Sequence, residues 1–479
     1  MNKSLAIKLL VILGLTVLLL VPLAFISGLT NERERHRDEV VKDIAASSAN
    51  EQQITGPLLV VPYVHTVRTW TDDPKTGQRV QRETEERGAL HFLPERLDVT
   101  GKLRTERRFR GIYEARLYTL NGRLAGHFVV PADYGLPPAR LAEYRLEAPT
   151  LALGISDVRG IRNDVPLLVN GQPLRFEAGS GSAVLGTGLH ATVPMAARHD
   201  FQLDLTLQGT SALHFTPVAR ETRVKLDSDW PHPSFTGDFL PVERQVTATG
   251  FNALWQASFF STNIQQLLVA CADDGACEGF NGRRFSVSFI DPVDHYAKMS
   301  RAVNYALLFV TLTFAAFFLF EVLRRLAIHP VQYGLVGIAL ALFFLLLLSL
   351  SEHIGFTRAY VVSAAACVGL LGYYIRHILG GFARGAGFAA GLAALYGLLF
   401  LLLRMEDYAL LVGSLLLFGT LAVVMVLTRH IDWFNVGQRP LPAALPLPTP
   451  PASASTTTAA MPPPLPGATP ASPPQGPTP

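Results

Sequence analysis

The chain has 479 residues, 49% of them apolar and only 16% charged, with a net charge of +3. So small an excess gives no grounds for nucleic-acid binding, and three cysteines exclude a disulfide-framework domain. Nearly all the charge lies outside one apolar block, the composition of a membrane region joined to a soluble one.

Residues 1–29 carry Lys3 and Lys8 and then run apolar from Leu9 to Leu29. A cleaved signal peptide would have an apolar core of about 7–15 residues and a small-x-small cleavage site. This run is longer, and Phe25-Ile26-Ser27 is a poor site, so an uncleaved anchor is expected, bent at Pro22. Residues 30–55 switch to charge, and Val40, Val41 and Ile44 lie near one face at helical spacing. A helical stem leaving the membrane is expected.

Residues 56–302 alternate apolar and polar side chains, as in Phe201-Gln202-Leu203-Asp204-Leu205-Thr206-Leu207 and Tyr113-Glu114-Ala115-Arg116-Leu117. Asn121-Gly122, Asn170-Gly171 and Asn281-Gly282 supply turn signals. The expectation is a large, mostly antiparallel β domain of two sandwich-like or barrel-like lobes. The run 229–241 holds Trp230, His232, Phe235 and Phe239 among prolines that bar an interior strand. It reads as a shaped loop packed over the core, with a binding edge for glycan or peptide as the alternative. Lys102, Arg104, Arg107, Arg108 and Arg110 form a basic cluster, read as a solvated strand face; contact with anionic lipid or polymer is the alternative. Cys271 and Cys277, six positions apart around Asp273-Asp274-Gly275, read as a local staple if the compartment is oxidising.

Residues 303–430 contain five apolar runs, 304–323, 331–350, 359–375, 386–403 and 409–428. Each has about the length needed to cross ~30 Å of hydrocarbon as helix. With the anchor this makes six crossings, and an α+β membrane protein with its β domain inserted between the first two helices. No Asp, Glu, Lys or Arg lies near the centre of a run, which disfavours an ion- or proton-coupled carrier. Glu321 is expected to pair with Arg324 or Arg325 one turn on. Gly387 and Gly391 make a small-residue face for packing inside the bundle. Two membrane-edge clusters read as loop anchors, one of Glu352 and His353 with Arg404, Glu406 and Asp407, the other of His329, Arg376 and His377. Residues 431–479 form a tail; its last 40 hold 15 prolines and no charge, the pattern of a disordered linker.

Basic residues set orientation. Lys3, Lys8, Arg324, Arg325, Arg376, Arg384, Arg429 and Arg439 fall on one side, against Arg358 and Arg404 on the other. Both termini are then cytoplasmic and the β domain periplasmic in a Gram-negative cell. No zinc spacing, Walker loop or G-x-S-x-G elbow occurs, and Gly186-Thr187-Gly188 lacks a βαβ context, so no cofactor or metal is expected.

Stretches along nearly the whole chain resemble the CreD family of inner-membrane proteins. They include GPLLVVP at 56–62, HFLPERLDV at 91–99, GIYEARLY at 111–118, SDVRGI at 156–161, DWPHPSFTGDFLP at 229–241 and GFNALWQASFF at 250–260. FEVLRRLAIHPVQYGLVG at 320–337, LLLLSLSEHIGFT at 345–357 and LTRHIDWF at 427–434 continue the match. The resemblance implies a protein of cell-envelope integrity, expressed under a sensor-kinase/response-regulator system and altering tolerance to a colicin. It implies no enzymatic activity and no catalytic residues. The proline-rich tail departs from the family, and the cysteine pair does not look like a family feature. The expected partners are the lipid bilayer and envelope components or other membrane proteins. The alternative is a transporter or lipid-handling protein with the bundle as pathway; a hydrolase is the third reading.

Overall fold

One helix, α1 (Lys3–Ser47), carries the chain from the apolar run straight into the charged stem, continuous through Pro22. This computed structural model describes residues 3–72, 78–289, 295–324, 328–378, 381–405 and 409–429. Arg325, Glu406, Asp407, Arg439 and the tail lie outside the described residues.

After α1 come β1 (Gln52–Asp72), β2 (Arg79–Phe92), β3 (Arg96–Arg110), β4 (Tyr113–Val129), β5 (Tyr144–Leu146), β6 (Thr150–Ile155), β7 (Leu167–Val169), β8 (Gln172–Leu174), β9 (Glu177–Ala178) and β10 (Gly188–Thr192). They are followed by β11 (Arg198–Thr210), β12 (Ala212–Thr216), β13 (Glu221–Ser228), β14 (Ser234–Gly237), β15 (Glu243–Thr247) and β16 (Gly250–Ser258). Short helices α2 (Phe259–Thr262), α3 (Ile264–Asp274) and α4 (Glu278–Gly282) precede β17 (Phe285–Ser288). The second apolar region is α5 (His295–Asn304), α6 (Ala306–Arg324), α7 (Pro330–Ile354), α8 (Phe356–Ile378), α9 (Phe382–Arg404) and α10 (Ala409–Thr428).

The strands make two sheets. One runs β14-β17-β12-β1-β6-β10-β9, with β2 and β5 also on the long β1; the other runs β15-β16-β13-β3-β4-β11-β7-β8. Pairing is antiparallel except where β1 meets β12 and β3 meets β13. A single core joins the sheets, with Leu59 and Leu151 from the first and Leu120, Leu203 and Trp255 from the second. The expected two lobes are therefore one sandwich. The alternation reported that each strand buries one face, and both sheets use the same interior.

Of the three Asn-Gly pairs, only Asn170-Gly171 makes a hairpin turn, with φ of 50° and 78° between β7 and β8. Asn121-Gly122 lies inside β4, where Gly122 pairs with Gly101 across the ladder. A Cβ at Gly101 would stand 2.6 Å from Leu120, so this glycine is there for close packing. Asn281-Gly282 ends α4.

Strand β4 has two buried faces. Tyr118, Leu120 and Leu124 enter the sandwich core, while Ala115 and Leu117 on the other face cover Ile44, Val40 and Val41 of α1. The apolar stripe of the stem thus docks on the outside of the sandwich.

Among the described residues, four helices are long and apolar enough to cross a bilayer. The count rises to five if α5 and α6, bent by 44° relative to each other, act as one span, and α10 contains a shorter apolar helix over Leu411–Val426. Helix α1 packs on α7, where Leu19 would lie 2.5 Å from a Cβ at Gly337. An added Cβ at Gly387 or Gly391 meets no atom of the described residues within 4 Å, so among these the expected small-residue face makes no close approach. Close approach falls instead at Gly337, Gly372 and Gly385.

Candidate functional site

Side chains from four separate elements meet where the sandwich joins the helices. Glu352, near the end of α7, accepts a hydrogen bond from the Tyr296 hydroxyl of α5 at 3.1 Å and lies 3.9 Å from Arg33 of α1. The Arg37 guanidinium, one helical turn further along α1, stands over the Tyr296 ring at 5.4 Å. Tyr113, the first residue of β4, is buried with Tyr296, Met299 and the helix residues, and its ring meets His36 edge-on at 5.6 Å. A cleft of about 520 Å³ opens between these groups and the end of the β3–β4 hairpin. Glu352 and His353 are adjacent in sequence but part company here: His353 is exposed and its Nδ1 lies 3.1 Å from the Ser349 carbonyl.

A second tie closes the opposite end of the helices. Glu321 of α6, 4% exposed, accepts from Lys8 Nζ at 2.5 Å, from the Tyr333 hydroxyl at 2.8 Å and from the Ile328 backbone N–H at 3.2 Å. The cation beside it is Lys8, 313 positions earlier in the chain; the side chains of Arg324 and Arg325, the expected partners, lie outside the described ones. A buried carboxylate needs several donors at once, and three elements supply them. Lys8 entered the sequence argument only as an orientation charge.

The stem is fixed at its far end as well. Arg159 donates to the Ala46 carbonyl at 2.6 Å and to both oxygens of Asp157, which also accepts from the Asn50 backbone N–H at 3.0 Å. The Arg159 guanidinium, with help from backbone N–H groups, holds the Asp157 carboxyl down at about 2.

The aromatic residues of the 229–241 run face inward. Trp230 is 6% exposed, donates from Nε1 to the His232 carbonyl at 2.7 Å, and carries the Arg116 guanidinium on its ring at 4.1 Å. Phe235 packs edge-on against Phe251 and Trp255, and Phe239 lies against the same core. Part of the run is the edge strand β14, and the imidazole of His232 meets the Trp230 ring edge-on at 5.7 Å. Cys271 of α3 and Cys277 are joined as a disulfide with Cα atoms 4.3 Å apart, across a turn in which Gly275 has φ +71°.

His329 caps α7, His377 bonds within α8 to the Tyr373 carbonyl, and Arg376 stacks on Phe382, so these three form no common cluster. Thr311 and Thr313 each donate to the carbonyl four residues back on α6. The gap bordered by Tyr305, Leu312, Leu395 and Leu416 holds about 10 Å³, about the minimum for one water. No group of three or more His, Cys, Asp or Glu among the described residues could hold a metal ion.

Sequence reasoning missed a serine-histidine-glutamate string. His214 Nδ1 lies 2.6 Å from Ser286 Oγ, and its Nε2 lies 3.5 Å from Glu51. With the Nε2–H donating to the carboxylate, Nδ1 accepts from the Ser286 hydroxyl. The hydrogen bond from His214 in turn lowers the Glu51 carboxyl. Ser286 is only 3% exposed, on a strand flanked by β12 and β14, so its hydroxyl faces no open site. The string ties paired strands; a nucleophile would need room beside it for a substrate.

The comparisons with known proteins agree with the membrane character of the chain. The model of the family described as "Inner membrane protein CreD" matches residues 4–434. The protein of that name from Escherichia coli (strain K12) is 37% identical over 433 residues, covering 88% of this chain and 92% of that one. A solved structure of native yeast LTA4 hydrolase aligns with a TM-score of 0.21 and 9% identity, over 46% of this chain and 35% of that one, a level that carries no argument. On the family match and this identity, the chain belongs to the CreD family of inner membrane proteins.

Proposed function

We propose that the protein is a six-span inner-membrane mount that holds a periplasmic β sandwich for contact with envelope components, without catalysis of its own. The supporting observation is the spacing of the two ionic ties. Lys8 and Arg33 are about 37 Å apart along α1 at about 1.5 Å per residue, which matches a hydrocarbon core of about 30 Å with a margin at each face. Between them α1 turns Leu10, Leu13, Leu18, Val21 and Phe25 outward, as a helix does toward lipid. The sandwich then rests on one face of the membrane, seated through the Tyr113–Leu117 stretch of β4. Both termini lie on the other face, where the Lys/Arg bias puts the cytoplasm.

A non-catalytic role is supported by what the polar groups do: the charges at the joint pair with one another, and Ser286 is walled in. Family membership supports a part in envelope integrity. In an oxidising compartment the Cys271–Cys277 bridge would staple the α3–α4 turn.

An alkaline-phosphatase reporter fused after residue 150 should be active, and an inactive one there would end this topology. In-cell photocrosslinking from exposed sandwich positions such as Phe260, 94% exposed, should then capture envelope material. Turnover of a small substrate by the purified chain, abolished by Ser286→Ala, would overturn the non-catalytic reading.

A further inference from the structure

The hairpin of β3 and β4 outruns the sheet that contains it. Strand β13 stays beside β3 only as far as Leu103, and β11 stays beside β4 only as far as Leu117. Residues 104–116 continue past both as a two-stranded ribbon. Its tip is the two-residue turn Gly111-Ile112 between paired Arg110 and Tyr113, with Gly111 at φ +63°, in the manner of a II′ turn.

The composition of this ribbon is unusual for a water-exposed turn. Phe109 is 63% exposed and Ile112 48% exposed. Around them the segment 104–116 carries five arginines against two glutamates. Arg107, Arg108 and Arg110 reach Glu114 at 3.8 Å, Glu106 at 3.4 Å and Asp43 at 3.0 Å in exposed ion pairs. Such pairs are weak and can be exchanged for another anion at little cost. The height of the tip is also defined. Phe109 and Ile112 line the same cleft as Tyr296 and Glu352, and Glu352 lies two residues before the end of α7. The tip therefore stands where the apolar helix surface gives way to charge.

We propose that the ribbon tip is an anionic-lipid contact. Phe109 and Ile112 enter the headgroup layer beside the bundle, and Arg107, Arg108 and Arg110 take lipid phosphate. Apolar side chains ringed by basic ones suit this boundary, and guanidinium matches phosphate in a bidentate fork. The bilayer is the occupant the height and charge select; a protein partner would need no such depth. The contact would steady the sandwich on the membrane at a second point, away from α1. It rests on the reading of the helices as membrane-crossing.

The test uses the full chain in nanodiscs, with a fluorescent amino acid placed at position 112, 260 or 345 and lipids brominated on their acyl chains as quencher. Leu345 is an exposed α7 residue in the proposed hydrocarbon zone. Phe260 follows β16, whose end pairs through Glu221 toward Arg96, the end of β3 remote from the tip. The label at 112 should be quenched well above that at 260. Quenching should rise about twofold or more when phosphatidylglycerol replaces part of the phosphatidylcholine. Arg107→Gln with Arg108→Gln and Arg110→Gln should remove that rise. Quenching at 112 no greater than at 260, with 345 quenched, would overturn the lipid contact and leave the spanning helices standing. No quenching at 345 would instead sink the spanning reading. Equal quenching at 112 with and without phosphatidylglycerol would refute the role given to the arginines.

Discussion

Glu321 and Glu352 occupy opposite ends of the helices, and each takes a tyrosine hydroxyl and faces a cation from α1. Around Glu321 the partners are close, with Lys8 at 2.5 Å and Tyr333 at 2.8 Å, and a backbone N–H joins them. Around Glu352 they are looser, with Tyr296 at 3.1 Å and Arg33 at 3.9 Å beside an open cleft. The first tie buries its carboxylate; the second leaves room for rearrangement on the side that carries the sandwich. The same chemistry at two depths of burial thus divides the molecule into a fixed end and an adjustable one.

The sharpest way to break this contrast is Glu321→Ala. It leaves a lysine, a phenol and an amide without their acceptor, and breaking a buried pair costs about 3–5 kcal/mol. Lys8 is 37% exposed and can recover some hydration, so about 3 kcal/mol is the expected loss in the detergent-solubilised full chain. Thermal melting followed by helix signal measures it. Should Glu352→Ala lower the melting temperature equally, the two ends are not different in kind.

Tyr113→Ala comes next. It removes a ring that is 8% exposed and joins the sandwich to the helix ends, and a partly collapsible site of this kind should lose about 2 kcal/mol. Hydrogen exchange should accelerate at the end of β4 and in the stem while α6 and α7 stay protected. Uniform acceleration through the bundle would mean that the joint is not separable from it. Glu352→Gln keeps an acceptor for Tyr296 and weakens the attraction to Arg33, which is half exposed, so about 1 kcal/mol or less is expected in the same melting experiment.

How much of this was visible beforehand follows from what a sequence pattern encodes. Run length located the apolar helices, because crossing hydrocarbon sets a minimum number of residues. Alternation located strands such as β11, because the side-chain period is two. Neither pattern names a partner. The stretch Tyr113-Glu114-Ala115-Arg116-Leu117 announced one apolar face, yet that face covers α1 instead of the sandwich core. Lys8 sits at the head of an apolar run and signals only orientation until α6 is folded beside it. Trp230 and Phe235 lie in a proline-broken run that suggested a binding edge as its alternative; Trp230 is buried, and Phe235, half-buried, is held on the core by β14 pairing with β17. Exchanging those aromatics for alanine would therefore test the fold of the sandwich before any contact it makes.

The smallest expected effect concerns where the stem meets the sandwich, and pH is its probe. Asp157 stands at about 2, held there first by Arg159, whereas an unstructured aspartate titrates near about 3.9. A carboxyl lowered on folding binds its proton less readily in the native state, so its contribution is complete above about pH 4 and fades as pH falls toward about 2. Between those values the attachment of Ala46 and Asn50 should loosen, and hydrogen exchange at residues 44–50 should rise relative to the α1 segment beside α7. Asp157→Asn keeps a single acceptor oxygen, enough for one of the two sets of N–H donors from Asn50 and Arg159, and has no charge to lose. Its exchange in this segment should be modestly faster at neutral pH and flat through the acid range. A wild-type chain whose stem exchanges equally at pH values above and within that window would show that the Asp157–Arg159 pair does not govern the junction, leaving the packing of Ile44 on Leu117 as what holds it.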